Sequence, residues 1–219
     1  AKLVLIFSTS SAGRFFSMAA NKLSKLLKSL APSSPNALAI WSGFLIGFLR
    51  QYDLILAILL VLKIVHVIYK NILKLATKNW ILLIGMILTG FGGMIGEKWG
   101  VSNNYWKYHE ISRDLPLWLP FAWMLAFYFL YRIESGLIPY LKNKTIKNKV
   151  IIAFWLSLII PAFGEIITIN LGVWTYYWPY QIFGVPIYAF VCLVFVHMLV
   201  YVILSSICKK WKINDIVFS

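Results

Sequence analysis

Two stretches of the chain carry one pattern: GEKWGVSNNYWKY, residues 96–108, and GEIITINLGVWTYY, residues 164–177. In each, a Gly-Glu pair is followed nine positions after the glutamate by Trp, and two positions later by Tyr: Glu97, Trp106 and Tyr108, then Glu165, Trp174 and Tyr176. Past a loop, both copies resume on proline, an apolar residue and an aromatic one, Pro116-Leu117-Trp118 and Pro186-Ile187-Tyr188. A pattern that recurs with its spacing intact marks a repeated supersecondary unit. Here the unit is a helix ending in Gly-Glu, an aromatic loop, and a second helix. Two membrane crossings per unit give both copies the same orientation, a parallel repeat about an axis along the membrane normal.

The sequence around the repeat requires a membrane. Hydrophobic residues make up 61% of the 219 positions and charged ones 13%, whereas soluble domains are about half apolar and a quarter charged. Apolar runs at 80–96, 115–133, 150–169 and 182–207 are long enough to cross, and a shorter run at 54–69 contains Lys63. These are continuous runs and not alternating ten-residue segments, so the expected fold is all-α, a polytopic transmembrane helical bundle of about five or six spans. The expected organisation is a basic N-terminal segment over 1–36, apolar segments and a basic linker over 37–79, membrane repeats over 80–134 and 149–207, and a basic tail over 208–219.

Charge sets the orientation. The formal net charge of +14 is not gathered into one stripe, which argues against a nucleic-acid partner. Instead Lys70, Lys74 and Lys78, then Lys142, Lys144, Lys147 and Lys149 against Glu134, then Lys209, Lys210 and Lys212 against Asp215, fall between apolar runs. These three segments, the C-terminal tail among them, belong in the cytoplasm. The segment 98–114 carries Lys98, Lys107 and Arg113 against Glu110 and Asp114, and 166–181 carries no charge, so both face outward. Near the N-terminus, Phe16, Ala19, Leu23, Leu26, Leu27 and Leu30 share one helical face and Arg14, Lys22, Lys25 and Lys28 another. That pattern describes an amphipathic helix lying on an anionic leaflet, or a targeting remnant. The run at 37–49 is too short to cross comfortably and is interfacial, re-entrant or half of a tilted helix. Cys192 and Cys208 have no neighbour at metal or disulfide spacing.

A carboxylate inside a span holds a proton, finds a partner or lines a polar cavity. If the two units pack about their common axis, Glu97 and Glu165 meet at one depth, where a shared proton would make one of them an acid. The alternative is that each merely accepts hydrogen bonds from the Tyr and Trp of its own repeat and anchors a helix end. Gly96 and Gly164 beside them permit close helix approach or a turn. His197 lies within a span, opposite the glutamates, as a candidate proton relay. His66 and His109 share no ligand spacing with it, so no metal site is expected. The aromatic residues Trp106, Tyr108, Trp118, Trp174, Tyr176 and Tyr188 form either an interfacial belt or the wall of a lipid-like ligand pocket. Their π-faces would stabilise a developing cation. Nothing in the chain indicates a nucleotide, phosphate or haem site, and no cofactor is expected.

The second copy, with Glu165, Trp174 and the turn Gly184-Val185-Pro186, resembles the pattern of the lycopene cyclase domain and the related bacterial and archaeal carotenoid-biosynthesis membrane proteins, including carotenoid hydratases. In the first copy, PLWLPFAW at 116–123 is similar to the helix opening of the hydratase group. The likeness covers about residues 80–205. It implies a prokaryotic cytoplasmic membrane and a cofactor-independent reaction on a polyene or other isoprenoid lipid. In that chemistry a carboxylic acid, here Glu97 or Glu165, protonates a double bond, and water addition or ring closure quenches the cation. Cyclases follow the Gly-apolar-Pro turn with paired glutamates, where this chain has Tyr188 and Ala189. Hydration is therefore expected ahead of cyclisation. The competing expectation is a non-catalytic subunit that binds lipid or pigment within a larger membrane complex.

Overall fold

The computed structural model of the chain describes residues 35–74 and 78–219, with side chains from residue 42 onward. The amphipathic helix expected around residues 14–30 lies outside the described residues. Two compact units, Ala1–Leu38 and Ala39–Ser219, divide the chain, and every element except the start of the first helix belongs to the second. In chain order the helices are α1 (Pro35–Phe48), α2 (Asp53–Ile68, continued by a π-turn over Tyr69–Leu73), α3 (Trp80–Ser102), α4 (Leu119–Leu137), α5 (Ile146–Asn170) and α6 (Ile187–Trp211). The stretches Asp53–Leu73, Trp80–Ser102, Leu119–Tyr140, Ile146–Asn170 and Ile187–Trp211 are long and apolar enough to cross a membrane. The protein is an all-α transmembrane bundle. The run at 37–49, whose form the sequence left open, is the helix α1.

Side-chain links sort the connections to two ends of the bundle. At one end Arg50, after α1, pairs with Glu110 (3.1 Å), while Asp53, opening α2, accepts from the Leu117 amide (2.7 Å) and faces Arg113 (3.6 Å). The α1–α2 turn and the α3–α4 loop therefore meet. At the same end, the loops of the two repeats build a short antiparallel ribbon from β1 (Trp106–Tyr108) and β2 (Trp174–Tyr176), with Trp106 opposite Tyr176, Lys107 opposite Thr175 and Tyr108 opposite Trp174. Lys107 and Thr175 are equivalent positions of the repeat, so each copy meets its counterpart about a common centre. That is the pairing a local two-fold axis produces. A second ribbon, β3 (Gln181–Ile182) and β4 (Val185–Pro186), leads into α6.

Both copies also stop their first helix in the same way. Asn104 and Gly172, equivalent positions, take left-handed backbone at φ +58° and +72°. The Tyr105 and Val173 amides then reach back to the Gly100 and Thr168 carbonyls (both 3.0 Å), and the Asn104 and Gly172 amides to Val101 and Ile169. These are Schellman caps, which use the residues that most readily tolerate left-handed backbone. They turn the chain so that Trp106 and Trp174 fall back over the helix that precedes them.

The opposite end departs from the expected loops and tail. Glu134, counted with the basic loop, lies inside α4 at 1% exposure, and its Oε1 is 2.8 Å from Nε2 of His197, itself 3% exposed. The expected basic tail folds back. Lys212, in left-handed backbone (φ +52°), reverses the chain after α6, and Val217 and Phe218 are buried. Phe218 stacks on Phe127 and Tyr131 and meets Tyr201 edge-on. Asp215 caps the Val217 and Phe218 amides through Oδ1 (2.8 and 3.1 Å) and accepts the Tyr131 hydroxyl at Oδ2 (2.9 Å). Tyr131 in turn accepts from Asn79, the N-cap of α3 (2.7 Å), and Lys149, expected in solvent, is buried and bonds the Ser219 carbonyl. An aromatic residue at 218 fills the core better than water does, which is why a segment with so many lysines nearby still inserts.

Removing one partner of a buried polar pair strands the other, at a cost of about 3–5 kcal/mol. His197→Leu is therefore predicted to lower the thermal stability of the detergent-solubilised protein strongly, and the double change His197→Leu with Glu134→Met to restore most of it. If the double variant melted lower than the single one, the pair would not be the stabilising unit assigned here.

Candidate functional site

The loops fold back because two carboxylates need donors. Glu97 sits in the last turns of α3, where the helix has not yet left apolar surroundings, and three side chains converge on it. Tyr108 donates its hydroxyl to Oε2 (2.8 Å), Trp106 its indole N–H to Oε2 (3.1 Å), and Trp123 of α4 its indole N–H to Oε1 (3.2 Å). Glu165, the equivalent residue of α5, accepts one hydrogen bond, from the Tyr176 hydroxyl to Oε2 (2.9 Å). Burial first, and then the carboxylates of both Glu97 and Glu165, hold the Tyr108 and Tyr176 hydroxyls well above the usual tyrosine range, so both remain protonated donors.

The unequal donor count has a local cause. A Cβ on Gly100 would lie 1.8 Å from the Trp106 ring, and one on Gly93 would lie 2.2 Å from the Trp123 ring. Both indoles reach Glu97 because α3 offers bare backbone for them to lie against. In the second copy the equivalent positions hold Thr168 and Pro161, and the counterpart of Trp123 is Leu193, which has no donor. Trp174, the counterpart of Trp106, is 8% exposed and lies near Glu165, yet its N–H meets no acceptor in hydrogen-bond geometry among the described residues. Its N–H faces the Glu165 carboxylate just outside strict hydrogen-bond geometry, so a small shift of either side chain makes it a second donor there.

Two cavities flank the glutamate pair, and both Glu97 and Glu165 line both of them. The larger, about 160 Å³, is walled by Tyr108, Trp118, Ala122, Gly164, Thr168 and Trp174, among others. The smaller, about 60 Å³, is walled by Tyr176, Tyr188, Cys192, Gly96 and Trp106, which are the repeat counterparts of Tyr108, Trp118, Ala122, Gly164 and Trp174. The cavities are thus images of one another across the axis through the ribbon. What makes them unequal is α1: Ser42, Gly43 and Ile46 complete the wall of the larger cavity. There α1 rests on α5 through glycines, since a Cβ on Gly43 would touch Ile167 (3.5 Å) and one on Gly47 would overlap Leu171 (2.1 Å).

All six aromatic residues, read from the sequence as an interfacial belt or a pocket wall, line one or other of the two cavities. Trp118 and Tyr108 meet edge-on, as do Tyr108 and Trp174, while Tyr188 stacks on Trp106 and donates to the Tyr105 carbonyl (3.3 Å). Gly96 and Gly164 each lie within a helix, so the turn reading is corrected for both; close helix approach holds at Gly164, whose Cα would lie 3.8 Å from a Cβ on Gly43 of α1, while a Cβ on Gly96 would meet nothing within 4 Å. They leave space beside the carboxylates. His197 is placed away from the site, against Glu134, and lines neither cavity. His109 bonds Thr175 (2.8 Å) and His66 is exposed on α2, so the three histidines stand apart. Sequence reasoning missed Trp123, whose signal was its place four residues into α4, level with the end of α3.

Gly100→Thr is predicted to displace Trp106 and reduce the donors on Glu97. The expected result is a lower melting temperature together with a shifted intrinsic tryptophan emission, since the indole leaves its carboxylate. An unchanged spectrum and melting temperature would contradict the role given to bare backbone at this position.

Compared with known proteins, the chain matches no family model, no curated protein and no solved structure.

Proposed function

We propose that the protein is an integral membrane enzyme that adds water across a double bond of an apolar isoprenoid-type lipid, with Glu165 as the acid. The observation that carries this reading is the unequal glutamate pair set between two largely apolar cavities. Glu97, with three donors on its two oxygens, is fitted to stay a carboxylate. Glu165, with one donor on Oε2 and an Oε1 that accepts none among the described residues, is fitted to hold the proton and present it to the larger cavity. A cavity of about 160 Å³ suits one ring-sized group.

In the proposed reaction the Glu165 proton passes to one alkene carbon as the π pair forms the new C–H bond. The electron-rich faces of Trp118, Tyr108 and Trp174 stabilise the positive charge left on the other carbon. Water adds there, and the resulting oxonium returns its extra proton to the Glu165 carboxylate. Alkene and water become alcohol, and the acid is regenerated. The resemblance to the carotenoid hydratases supports hydration ahead of cyclisation. The second reading, a non-catalytic subunit that binds lipid or pigment, draws on the bond from each glutamate to a tyrosine of its own repeat, which by itself would anchor a helix end.

In a host that makes linear polyenes, the chain is predicted to yield hydroxylated products, and Glu165→Gln to cut conversion by about 10²–10⁴-fold, the usual contribution of a positioned acid. Full conversion by Glu165→Gln would remove the catalytic assignment, and no conversion by the wild type would leave the subunit reading. For orientation, we infer from the lysines of 70–78, 142–149 and 209–212 that the ribbon end faces away from the cytoplasm; that the membrane is a prokaryotic cytoplasmic one is what the resemblance implies. A fluorescent protein fused at residue 219 that matures only in the cytoplasm is expected to fluoresce; a dark but full-length fusion would reverse the assignment.

A further inference from the structure

The two cavities share a plan but differ in the polar groups that the second helix of each repeat turns towards the carboxylates. Where the larger presents the Trp118 indole and the Ala122 methyl, the smaller presents the Tyr188 hydroxyl and the Cys192 thiol. Tyr188 and Cys192 are four residues apart in α6 and so share a face. Tyr188 lies near both Cys192 and Glu165, and Cys192 near Glu97. The Tyr188 ring is held in place, stacked on Trp106 and met edge-on by Trp178. The Tyr188 hydroxyl donates to the Tyr105 carbonyl and the Tyr176 hydroxyl to Glu165, so each oxygen keeps lone pairs with which to accept. Of about four lone-pair sites on the Glu97 carboxylate, Tyr108, Trp106 and Trp123 take three, which leaves one. Size then separates the two spaces. A water needs about 10–15 Å³ of cavity and two to four polar partners, while a dry cavity of about 150 Å³ holds a benzene ring. The smaller cavity, at about 60 Å³, has room for a few waters, and the larger, at about 160 Å³, for the ring-sized group.

We propose that the smaller cavity is the binding site of the water that the reaction consumes, with Tyr188 and Cys192 seating it against the glutamate pair. The inference rests on the reading of the protein as a hydratase and gives that reaction's second substrate its place. Trp99, in the last turn of α3, and Tyr188, in the first turn of α6, put this cavity at the ribbon end, where water arrives as the helices leave the apolar layer. A water there hydrogen-bonds to the free site on Glu97 and passes between the two carboxyl groups, both of which wall both cavities. Once Glu165 has given its proton to the alkene, a lone pair of the water oxygen forms the C–O bond to the cation. The extra proton of the oxonium goes to the Glu165 carboxylate, while Glu97 accepts a hydrogen bond and gains no proton.

The site is tested by filling it and by removing its polar atoms. Ala189→Leu copies Leu119 of the other repeat, and Gly96→Val adds volume where a Cβ would meet nothing within 4 Å. Tyr188→Phe and Cys192→Ala, the latter a copy of Ala122, take away partners without adding bulk. In the polyene-producing host each is expected to lower the ratio of alcohol to isomerised alkene, the filling variants by about tenfold or more. The isomer forms because a cation that meets no water loses a neighbouring proton to the Glu165 carboxylate. Ala122→Leu, which fills the larger cavity, is expected instead to lower alcohol and isomer together. A wild-type ratio in all four variants of the smaller cavity, or a parallel loss of both products in them, would overturn the proposal. Melting temperatures and monodisperse elution of the purified chains separate these effects from misfolding, and the two variants that add no bulk carry the test if a filling variant does not fold. If the wild type makes no product at all, the hydratase reading falls, and infrared spectroscopy of the full chain in nanodiscs decides the water site by itself, with D2O as the probe. The S–H stretch of Cys192, identified as the band lost in Cys192→Ala, is expected to exchange promptly in D2O and severalfold more slowly in Ala189→Leu. Exchange as slow as that of the buried Cys208, or a rate that filling does not change, would remove the water site.

Discussion

The architecture at the ribbon end follows from one constraint, that a glutamate side chain placed before the end of a membrane helix must be given hydrogen-bond donors. Water is scarce at that depth and, among the described residues, no lysine or arginine pairs with either carboxylate, so the donors have to be neutral and large enough to reach inward. Tyr108, Trp106, Trp123 and Tyr176 meet that need for Glu97 and Glu165. To deliver them, each loop must reverse directly after its helix, which the left-handed residues Asn104 and Gly172 accomplish. Two loops reversing over neighbouring helices about a common axis come to lie side by side, and their backbones pair as β1 and β2.

Duplication accounts for the frame, and departures from it account for the specificity of the site. Glycines at 93 and 100 seat two indoles on Glu97; Pro161, Thr168 and Leu193 withhold the matching donors from Glu165. One carboxylate is thereby satisfied by the protein, and the other is left with capacity to act on something else. On a larger scale α1 adds Ser42, Gly43 and Ile46 to the wall of one cavity and, among the described residues, nothing to its image. A pair of like half-sites becomes two cavities of unequal volume. Neither change requires new chemistry, only different side-chain volume at equivalent positions.

The opposite end is held by a different set of interactions, and its buried carboxylates Glu134 and Asp215 line neither of the two cavities. His197 with Glu134, and Asp215 with Tyr131 and Asn79, tie α3, α4, α6 and the returning segment 215–218 together, and Phe218 fills the space among Phe127, Tyr131 and Tyr201. Buried polar links of this kind fix which helix face meets which, because a rotated helix would strand its partner. The effect is a rigid base against which the ribbon end, with its cavities, is positioned.

Five apolar runs, the basic segments between them and the two Glu-x8-Trp-x-Tyr copies are local features, and each was legible from the chain because hydropathy, charge and spacing are properties of the sequence alone. The spans, the parallel repeat and the meeting of Glu97 with Glu165 at one level followed from them. The pairing of the loops, the place of Trp123 and the inequality of the two glutamates did not, since these depend on which residue of one helix lies against which residue of another. His197 shows the limit plainly: its position within a span suggested the nearest known carboxylates, but its partner is Glu134, which loop counting had assigned to solvent. The folding back of Phe218 and the contribution of α1 to the wall of one cavity were equally out of reach. Both depend on the shape of a space that exists only once the helices have packed, and packing is set by the complementarity of distant surfaces and not by the order of residues along any one of them.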